Sequence, residues 1–233
     1  MPTAHCEWGP NGAMAFRDRV AALVIVNVLS FSTSVDIATA RGAQIVPFPL
    51  GDQVAAAAAA DAAEAILANP KRAAGGQYSL SPESLQAIAR GTRLMLPSPN
   101  GSKLSLMGGN AAVFAGCLRN ARAVAEAARS QGGDVAVIPA GERWRSDDSL
   151  RPAIEDLLGA GAILDALGLP LSPEARVARD AWRSARNDFA DIIRASLSGQ
   201  ELIGRDFAQD VELAVASEAS RAAPRLRDGA YSA

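Results

Sequence analysis

A continuous apolar run, Ala21-Ala22-Leu23-Val24-Ile25-Val26, is the feature that most restricts the fold of this chain. A strand that is apolar on both faces is typical of a parallel sheet covered by helices on both sides. Four further strand-like runs follow it, with helix-like segments between them. This alternation predicts an α/β fold with three αβα layers and a mostly parallel sheet. The predicted strands are Ala21–Val26, Ala43–Phe48, Arg93–Leu96, Ala111–Ala115 and Val135–Ile138.

The segments between these strands favour helices. In the alanine-rich one, Asp52 can cap the first turn, and Asn69-Pro70 is typical of a helix end. The Lys103–Met107 segment also looks helical, which argues against a hairpin at Asn100-Gly101. The predicted helices are Thr33–Ala40, Gln53–Ala68, Pro82–Ala89 and Ala121–Arg129.

The last third of the chain is predicted to be almost entirely helical. Ser149–Leu167 carries one apolar stripe, and a second helix starts at Ser172-Pro173 and runs to a stop at Gly199. A third helical segment covers 205–217. No linker or internal repeat separates the halves, so we expect a single domain over residues 1–233 in which the helical third covers the sheet.

Composition excludes several classes of function. With a net charge of −2 and 5% aromatic residues, the chain lacks the basic surface of a nucleic-acid-binding protein. His5 is the single histidine, and Cys6 and Cys117 have no metal-ligand spacing, so any metal is expected to be a hard cation with oxygen ligands. No signal peptide or membrane span is recognisable, which predicts a cytoplasmic protein. The sequence is compatible with a homo-oligomer.

Two polar turns follow predicted strands, where parallel α/β sheets bind their ligands. In the first, Ser30, Ser32 and Thr33 follow Asn27 and precede a helix. These hydroxyls either cap the helix or bind an anion with its free N–H groups. The second turn consists of Asn100, Gly101 and Ser102. It is either a turn without a ligand or a site that binds phosphate.

Carboxylates are expected at the same edge of the sheet. Glu142 follows the strand that ends at Ile138, and Glu155-Asp156 lies near the start of the next helix. Adjacent acids on a helix cannot share one face, so at most one of the pair is expected to point inward. They are either solvated acids favoured by the helix dipole or ligands of Mg²⁺. Asn120, before the helix at Ala121, is explained by a cap.

Taken together, these segments resemble the 2-phosphosulfolactate phosphatase family. No single segment is specific, but the ordered set is, and it extends from about Val20 to the C-terminus. The matching segments are 24–33, 79–83, 98–102, 119–121, 155–162 and 204–211.

The resemblance implies a Mg²⁺-dependent α/β hydrolase that removes phosphate from 2-phospho-3-sulfolactate on a route to coenzyme M. Members of the family usually carry Asp where this chain has Asn27 and commonly carry Arg where it has Ser30. An amide cannot replace a carboxylate as nucleophile, general base or strong Mg²⁺ ligand, and loss of the arginine removes a bidentate phosphate clamp. These departures point to a distinct branch with another substrate or weaker chemistry.

We therefore expect an enzyme that hydrolyses a small anionic phosphoester with Mg²⁺, and the alternative is a non-catalytic anion-binding protein of the same fold. The residues expected to carry the chemistry are Asn27, Glu142 and Glu155. The expected metal ligands are Glu155 and Asp156. The residues expected to bind substrate are Ser30, Ser32, Thr33, Asn100, Gly101, Ser102 and Asn120.

Overall fold

A computed structural model of the protein describes residues 1–72 and 77–233. The strands in these ranges are β1 Ala4–Cys6, β2 Ala22–Val26, β3 Gln44–Pro49, β4 Ile66–Leu67, β5 Arg93–Ser98, β6 Ala112–Gly116, β7 Val135–Pro139, β8 Glu142–Arg143, β9 Leu150–Arg151, β10 Arg225–Arg227 and β11 Ala230–Ser232.

The α-helices alternate with the strands in the first half and follow one another in the second. They are α1 Gly9–Phe16, α2 Phe31–Ala40, α3 Gln53–Ala62, α4 Gly101–Ser105, α5 Ala121–Arg129, α6 Ile154–Leu167, α7 Pro173–Ala185, α8 Phe189–Ala195, α9 Leu197–Ile203 and α10 Ala208–Ala214. Two 3-10 turns cover Glu83–Leu85 and Leu118–Asn120. No helix in the described ranges has the length and apolar character required to cross a membrane.

The main sheet has the strand order β1-β7-β2-β6-β10-β11-β3-β5-β4. Parallel pairing holds β1, β7, β2 and β6 together, and also holds β3, β5 and β4 together. The hairpin β10–β11 lies between these two groups and pairs antiparallel with β6 on one side and with β3 on the other. Strands β8 and β9 form a separate small ribbon.

Strand β2 shows why the sheet is the middle layer. All five of its residues are fully buried. Leu23 and Ile25 pack into the cluster that includes residues of α1, α2 and α4, whereas Val24 and Val26 pack against α5 and α6 on the opposite face. Burial on both faces is what the continuous apolar run predicts. The three-layer α/β prediction is confirmed.

The five predicted strands and the helix Ala121–Arg129 are confirmed, with strand ends shifted by at most two residues. Asp52 caps α3 as predicted, since its carboxylate accepts hydrogen bonds from the backbone N–H groups of Val54 and Ala55. The predicted start of the helix 53–68 is confirmed at Gln53, but its predicted end is wrong, because α3 stops at Ala62 before β4. The predicted helix 82–89 is only a 3-10 turn at Glu83–Leu85.

In the last third, the predicted helix 149–167 starts only at Ile154, because Leu150–Arg151 pairs with β8 instead. The Ser172 cap is confirmed, since its Oγ accepts a hydrogen bond from Ala175 N–H at 3.2 Å. The single helix predicted from Ser172 to Gly199 is wrong. It is broken into α7, α8 and the start of α9, in which Gly199 lies.

Candidate active site

A pocket of about 560 Å³ lies at the carboxyl ends of four strands. Asn27 follows β2, Leu50 follows β3, Asn100 follows β5 and Glu142 follows β7, and all four line the pocket. This convergence of strand ends is where α/β sheets bind their ligands. The rest of the wall contains three cationic residues and one further carboxylate: Lys71, Arg72, Arg205 and Glu201.

The turn after β2 is braced from inside by its own hydroxyls. Ser32 Oγ accepts a hydrogen bond from Asn27 N–H at 3.0 Å and donates to the Ile25 carbonyl at 3.1 Å. Thr33 Oγ1 donates to the Val28 carbonyl at 2.8 Å. Both hydroxyl residues are fully buried and neither lines the pocket. The structure therefore brings Asn27 and Ser30 to the pocket but leaves Ser32 and Thr33 beneath it.

In the turn after β5, too, some polar side chains line the pocket and others bond to the backbone behind it. Asn100 and Ser98 line the pocket, whereas Ser102 Oγ donates to the Leu96 carbonyl at 2.8 Å behind the pocket wall. Ser98 Oγ is buried and has no hydrogen-bond partner among the described residues. Gly101 does not line the pocket, but a Cβ there would lie 2.6 Å from Phe31 Cβ. Its small size therefore lets this turn approach the start of α2.

Glu142 joins these two turns to the end of β7. Asn100 Nδ2 donates a hydrogen bond to Glu142 Oε2 at 3.1 Å. Burial and, to a lesser degree, the neighbouring negative charge of Glu155 raise the pKa of Glu142 from 4.5 to about 7, although Arg151 and Asn100 oppose the shift. A carboxyl group with such a pKa can hold or release a proton near neutral pH.

Glu155 and Asp156 both point into the protein, so the prediction that at most one of them is inward is wrong. The start of α6 is covered on two sides. Asp156 accepts hydrogen bonds from Val28 N–H at 2.7 Å and from Gly141 N–H at 2.9 Å, while Glu155 lies beside Ser198. Helical spacing alone could not reveal a helix start that is buried on both of these sides.

The two acids differ in how well their oxygens are satisfied. Each oxygen of Asp156 accepts a backbone N–H, so this residue ties the turn after β2 to the loop after β7. Glu155 is 1% exposed, and its Oε2 has no hydrogen-bond partner among the described residues. Burial raises the pKa of both carboxyl groups. No cluster of three or more His, Cys, Asp or Glu side chains suited to a metal is found in residues 1–72 and 77–233.

Asn120 is fully buried and does not line the pocket. Its Oδ1 accepts a hydrogen bond from Cys117 N–H at 2.9 Å, and its Nδ2 donates to the Ala115 carbonyl at 3.3 Å. Asn120 stands at the N-cap position of α5, as predicted, but its side chain makes no capping bond to that helix. The side-chain amide closes the turn after β6, outside the pocket wall.

Sequence reasoning missed the arginine in the pocket wall. Arg72 Nη2 donates to Ser30 Oγ at 2.8 Å, and Nη1 pairs with Asp210 Oδ2 at 2.6 Å. Arg72 belongs to an irregular stretch with no periodicity, so no local pattern marks it. The available signals were indirect, because Asp210 and Ser81, to which it is linked, both lie in segments that carry the family resemblance.

Comparison with known proteins identifies the family of the chain. The model of the family described as 2-phosphosulpholactate phosphatase matches residues 12–229. The chain is 36% identical to the 2-phosphosulfolactate phosphatase of Methanothermobacter thermautotrophicus over 60% of this chain and 58% of that protein. It is 30% identical to the probable 2-phosphosulfolactate phosphatase of Carboxydothermus hydrogenoformans over 82% of this chain and 80% of that protein. The chain therefore belongs to the 2-phosphosulfolactate phosphatase family.

Proposed function

We propose that this protein is a Mg²⁺-dependent phosphatase that hydrolyses 2-phospho-3-sulfolactate or a related small anionic phosphomonoester. The observation that carries the proposal is the hydrogen bond between Asn100 and Glu142 in a pocket whose wall also contains Arg72. A proton-carrying carboxyl group and a guanidinium group thus line one pocket at the strand ends. The names of the relatives supply the substrate class.

The charge distribution of the pocket suits a substrate with two anionic groups. Lys71, Arg72 and Arg205 supply positive charge, and all three line the pocket. Asn27, Ser30 and Ser98 add neutral polar groups around it. Cations attract the phosphoryl and second acid groups, and the amide and hydroxyl groups orient them by hydrogen bonds. Small phosphorylated acids are therefore favoured over neutral esters.

Glu142 is the residue suited to proton transfer. In the proposed reaction a water oxygen bonds to phosphorus while the bond from phosphorus to the ester oxygen breaks. Glu142 in its protonated form gives its proton to that leaving oxygen, and a proton of the attacking water restores it. In the metal-free protein the pKa of Glu142 is raised to about 7, so its protonated form is populated near neutral pH. Asn27 cannot serve as nucleophile or base because its amide carries no negative charge.

Mg²⁺ suits the oxygen donors behind this pocket. It prefers one or two carboxylates and completes its shell with water and phosphate oxygens. Glu155 would hold it, because its buried Oε2 has no partner among the described residues. Asp156 is a poorer ligand, since both of its oxygens already accept backbone N–H groups. When bound, the ion would neutralise charge on the phosphoryl oxygens.

Phosphate release from 2-phospho-3-sulfolactate and from a panel of phosphomonoesters tests the proposal. We expect release with Mg²⁺, none with chelator, and at least a ~100-fold loss of kcat in Glu142→Gln, in line with the usual contribution of general acid catalysis. A matched control is Glu126→Gln, which changes an exposed acid on α5. Absence of Mg²⁺-dependent release from every substrate would contradict the proposal.

The second candidate is a non-catalytic anion-binding protein, which Asn27 favours because this position lacks the carboxylate usual in the family. Asn27→Asp distinguishes the two. If the unmodified protein is non-catalytic because it lacks a carboxylate at position 27, this variant gains Mg²⁺-dependent turnover. If the carboxylate chemistry belongs to Glu142, Asn27→Asp leaves the Mg²⁺ requirement unchanged, and Glu142→Gln still abolishes turnover. The second result is the one we expect.

A further inference from the structure

Arg72 lies five residues after the end of β4 and forms part of the pocket wall. Its side chain is 12% exposed, and the carboxylate that it pairs with, Asp210, is completely buried. An arginine that is mostly enclosed and still lines a pocket differs from the exposed arginines of the surface, which solvent surrounds. Its orientation is therefore set by protein contacts.

Those contacts hold the guanidinium at two points. Asp210 Oδ2 accepts from Arg72 Nη1 at 2.6 Å, and the Phe207 ring lies 5.6 Å from the guanidinium carbon. Asp210 is itself fixed, because its Oδ1 accepts from Ser81 Oγ at 2.5 Å and from Glu83 N–H at 3.2 Å. A chain of buried hydrogen bonds thus fixes one edge of the guanidinium group.

The other edge faces the pocket. Arg72 Nη2 donates to Ser30 Oγ at 2.8 Å, and Ser30 lines the pocket beside Asn27. A guanidinium group has five N–H donors, and the contacts to Asp210 and Ser30 use two of them. Planar groups of this kind bind phosphate oxygens through paired N–H donors. The ten-residue helix α2, which starts at Phe31, adds the positive end of its dipole at the same place.

We propose that Arg72 binds the phosphoryl group of the substrate and that Asp210, supported by Ser81, is its positioning residue. The inference rests on the proposed function, because it takes this pocket as the anion site. Ser30 carries no charge, so it cannot attract a phosphate as a cation would. Arg72 donates a hydrogen bond to Ser30 Oγ, so its guanidinium group lies at this turn although it belongs to another part of the chain.

Titration calorimetry with inorganic phosphate tests this without turnover. The variants are Arg72→Lys and Arg72→Met. Lysine keeps the positive charge beside Asp210, so the chain should stay folded, but its single ammonium group cannot bridge Asp210, Ser30 and a phosphate as a guanidinium does. We expect phosphate affinity to fall about tenfold or more in Arg72→Lys and further in Arg72→Met. Methanesulfonate, a model of the second acid group, should lose less than twofold.

The matched control is Arg194→Met, which removes a half-buried arginine paired with Glu212 on α10, the helix that carries Asp210. Its phosphate affinity should equal that of the unmodified protein. Asp210→Asn should weaken phosphate binding, because Arg72 loses its positioning residue. In Arg72→Met, added guanidinium ions should restore phosphate binding. An ion pair with a purely structural role would not show this restoration.

Unchanged phosphate affinity in both Arg72 variants, or an equal loss in Arg194→Met, would overturn the inference. A loss of methanesulfonate binding alone would overturn the assignment to the phosphoryl group. If the unmodified protein binds phosphate but hydrolyses nothing, the proposed enzyme fails while this inference stands. If it binds no phosphate, this inference fails, and the release assay decides the proposed function separately.

Discussion

Three carboxylates of the candidate site show how one functional group takes different roles according to its surroundings. Glu142 lines the pocket and accepts a hydrogen bond from Asn100. Glu155 is buried behind the pocket and has an unpartnered oxygen among the described residues. Asp156 accepts two backbone N–H groups and ties two loops together. The three environments suit proton transfer, cation binding and loop positioning respectively.

Glu142 should make stability depend on pH. Its pKa is about 7 in the folded protein against 4.5 for a free carboxyl group, so the folded state binds this proton more tightly. Stability from this group is complete below about pH 4.5 and is lost as pH rises through 7. Glu142→Gln has no such loss. Its free energy of unfolding relative to the unmodified protein should rise by about 2 kcal/mol between pH 4.5 and pH 8, allowing for partial exposure.

Urea unfolding at several pH values, with chelator present, measures this difference. Glu126→Gln, which changes an exposed acid on α5, serves as the control. A stability difference for Glu142→Gln that stays constant from pH 4.5 to pH 8 would show that this carboxyl group titrates normally.

At the residue scale, the sequence predicted where polar side chains gather but not what each one contacts. Asn27, Ser30, Asn100 and Glu142 were singled out by their position after strands, and the structure brings them to one pocket. The other predicted hydroxyls of these turns donate hydrogen bonds to backbone carbonyls, as Ser32 does. A short polar side chain in a turn can serve the turn or a ligand, and the choice depends on its side-chain direction, which spacing does not encode.

Among the elements, the approach of α4 to α2 depends on Gly101. The Asn100-Gly101 pair looks like a turn signal in the sequence, but the backbone of Gly101 is helical in the structure. The residue must be small because a Cβ would overlap the Phe31 ring, which is fully buried at the start of α2. Steric fit between two helix starts thus sets the position of Asn100.

Gly101→Ala should therefore force the two helix starts apart. We expect the free energy of unfolding to fall by about 2 kcal/mol, as is usual for overpacking a dense core, and phosphate affinity to fall because Asn100 moves away from Glu142. Thermal unfolding and calorimetry measure the two effects. Gly204→Ala is the control, since its φ of −66° suits alanine and the nearest atom to the added Cβ is 3.2 Å away. Equal stability of the two variants would contradict the steric explanation.

Strands were predicted well at the element scale because burial on both faces leaves an uninterrupted apolar run, as in β2. Helix ends were predicted poorly. Alanine favours a helix from Gln53 onward but gives no stop signal, and the stop at Ala62 is followed by β4, which pairs with β5. Likewise Leu150–Arg151 is a strand and not the start of a helix, because it pairs with β8. Such outcomes depend on which strands pair, and the propensity of a single segment does not encode this.

For the whole molecule, the hairpin β10–β11 is the main feature that the sequence analysis missed. A signal for it exists in Asp228-Gly229, where both residues have positive φ, 49° and 78°, as a type I′ turn requires. Its strands are only three residues long, and their partners, β6 and β3, are more than 100 residues away. The pairing therefore could not be read from local patterns.

Tyr231 is the residue through which this hairpin stabilises the molecule. It is completely buried, its hydroxyl donates to Ser105 Oγ at 2.8 Å, and its ring packs edge-on against Phe31. Tyr231→Ala should lower the free energy of unfolding by about 3–5 kcal/mol, the usual cost of removing a buried aromatic ring. Urea unfolding checks this. Arg227→Ala, an exposed position on the same hairpin, should change stability by less than about 0.5 kcal/mol.

A similar small loss of unfolding free energy in both variants would show that Tyr231 does not contribute to the stability of the core.

The position of the hairpin also has a consequence for synthesis of the chain on the ribosome. Every other strand of the main sheet is translated before residue 225, yet β10 and β11 lie between β6 and β3. A nascent chain that has not yet emerged past this residue therefore carries two unpaired strand edges in the middle of its future sheet. Unpaired edges are the usual starting points of aggregation. The period before the hairpin emerges is thus when this protein would most need the protection of a chaperone.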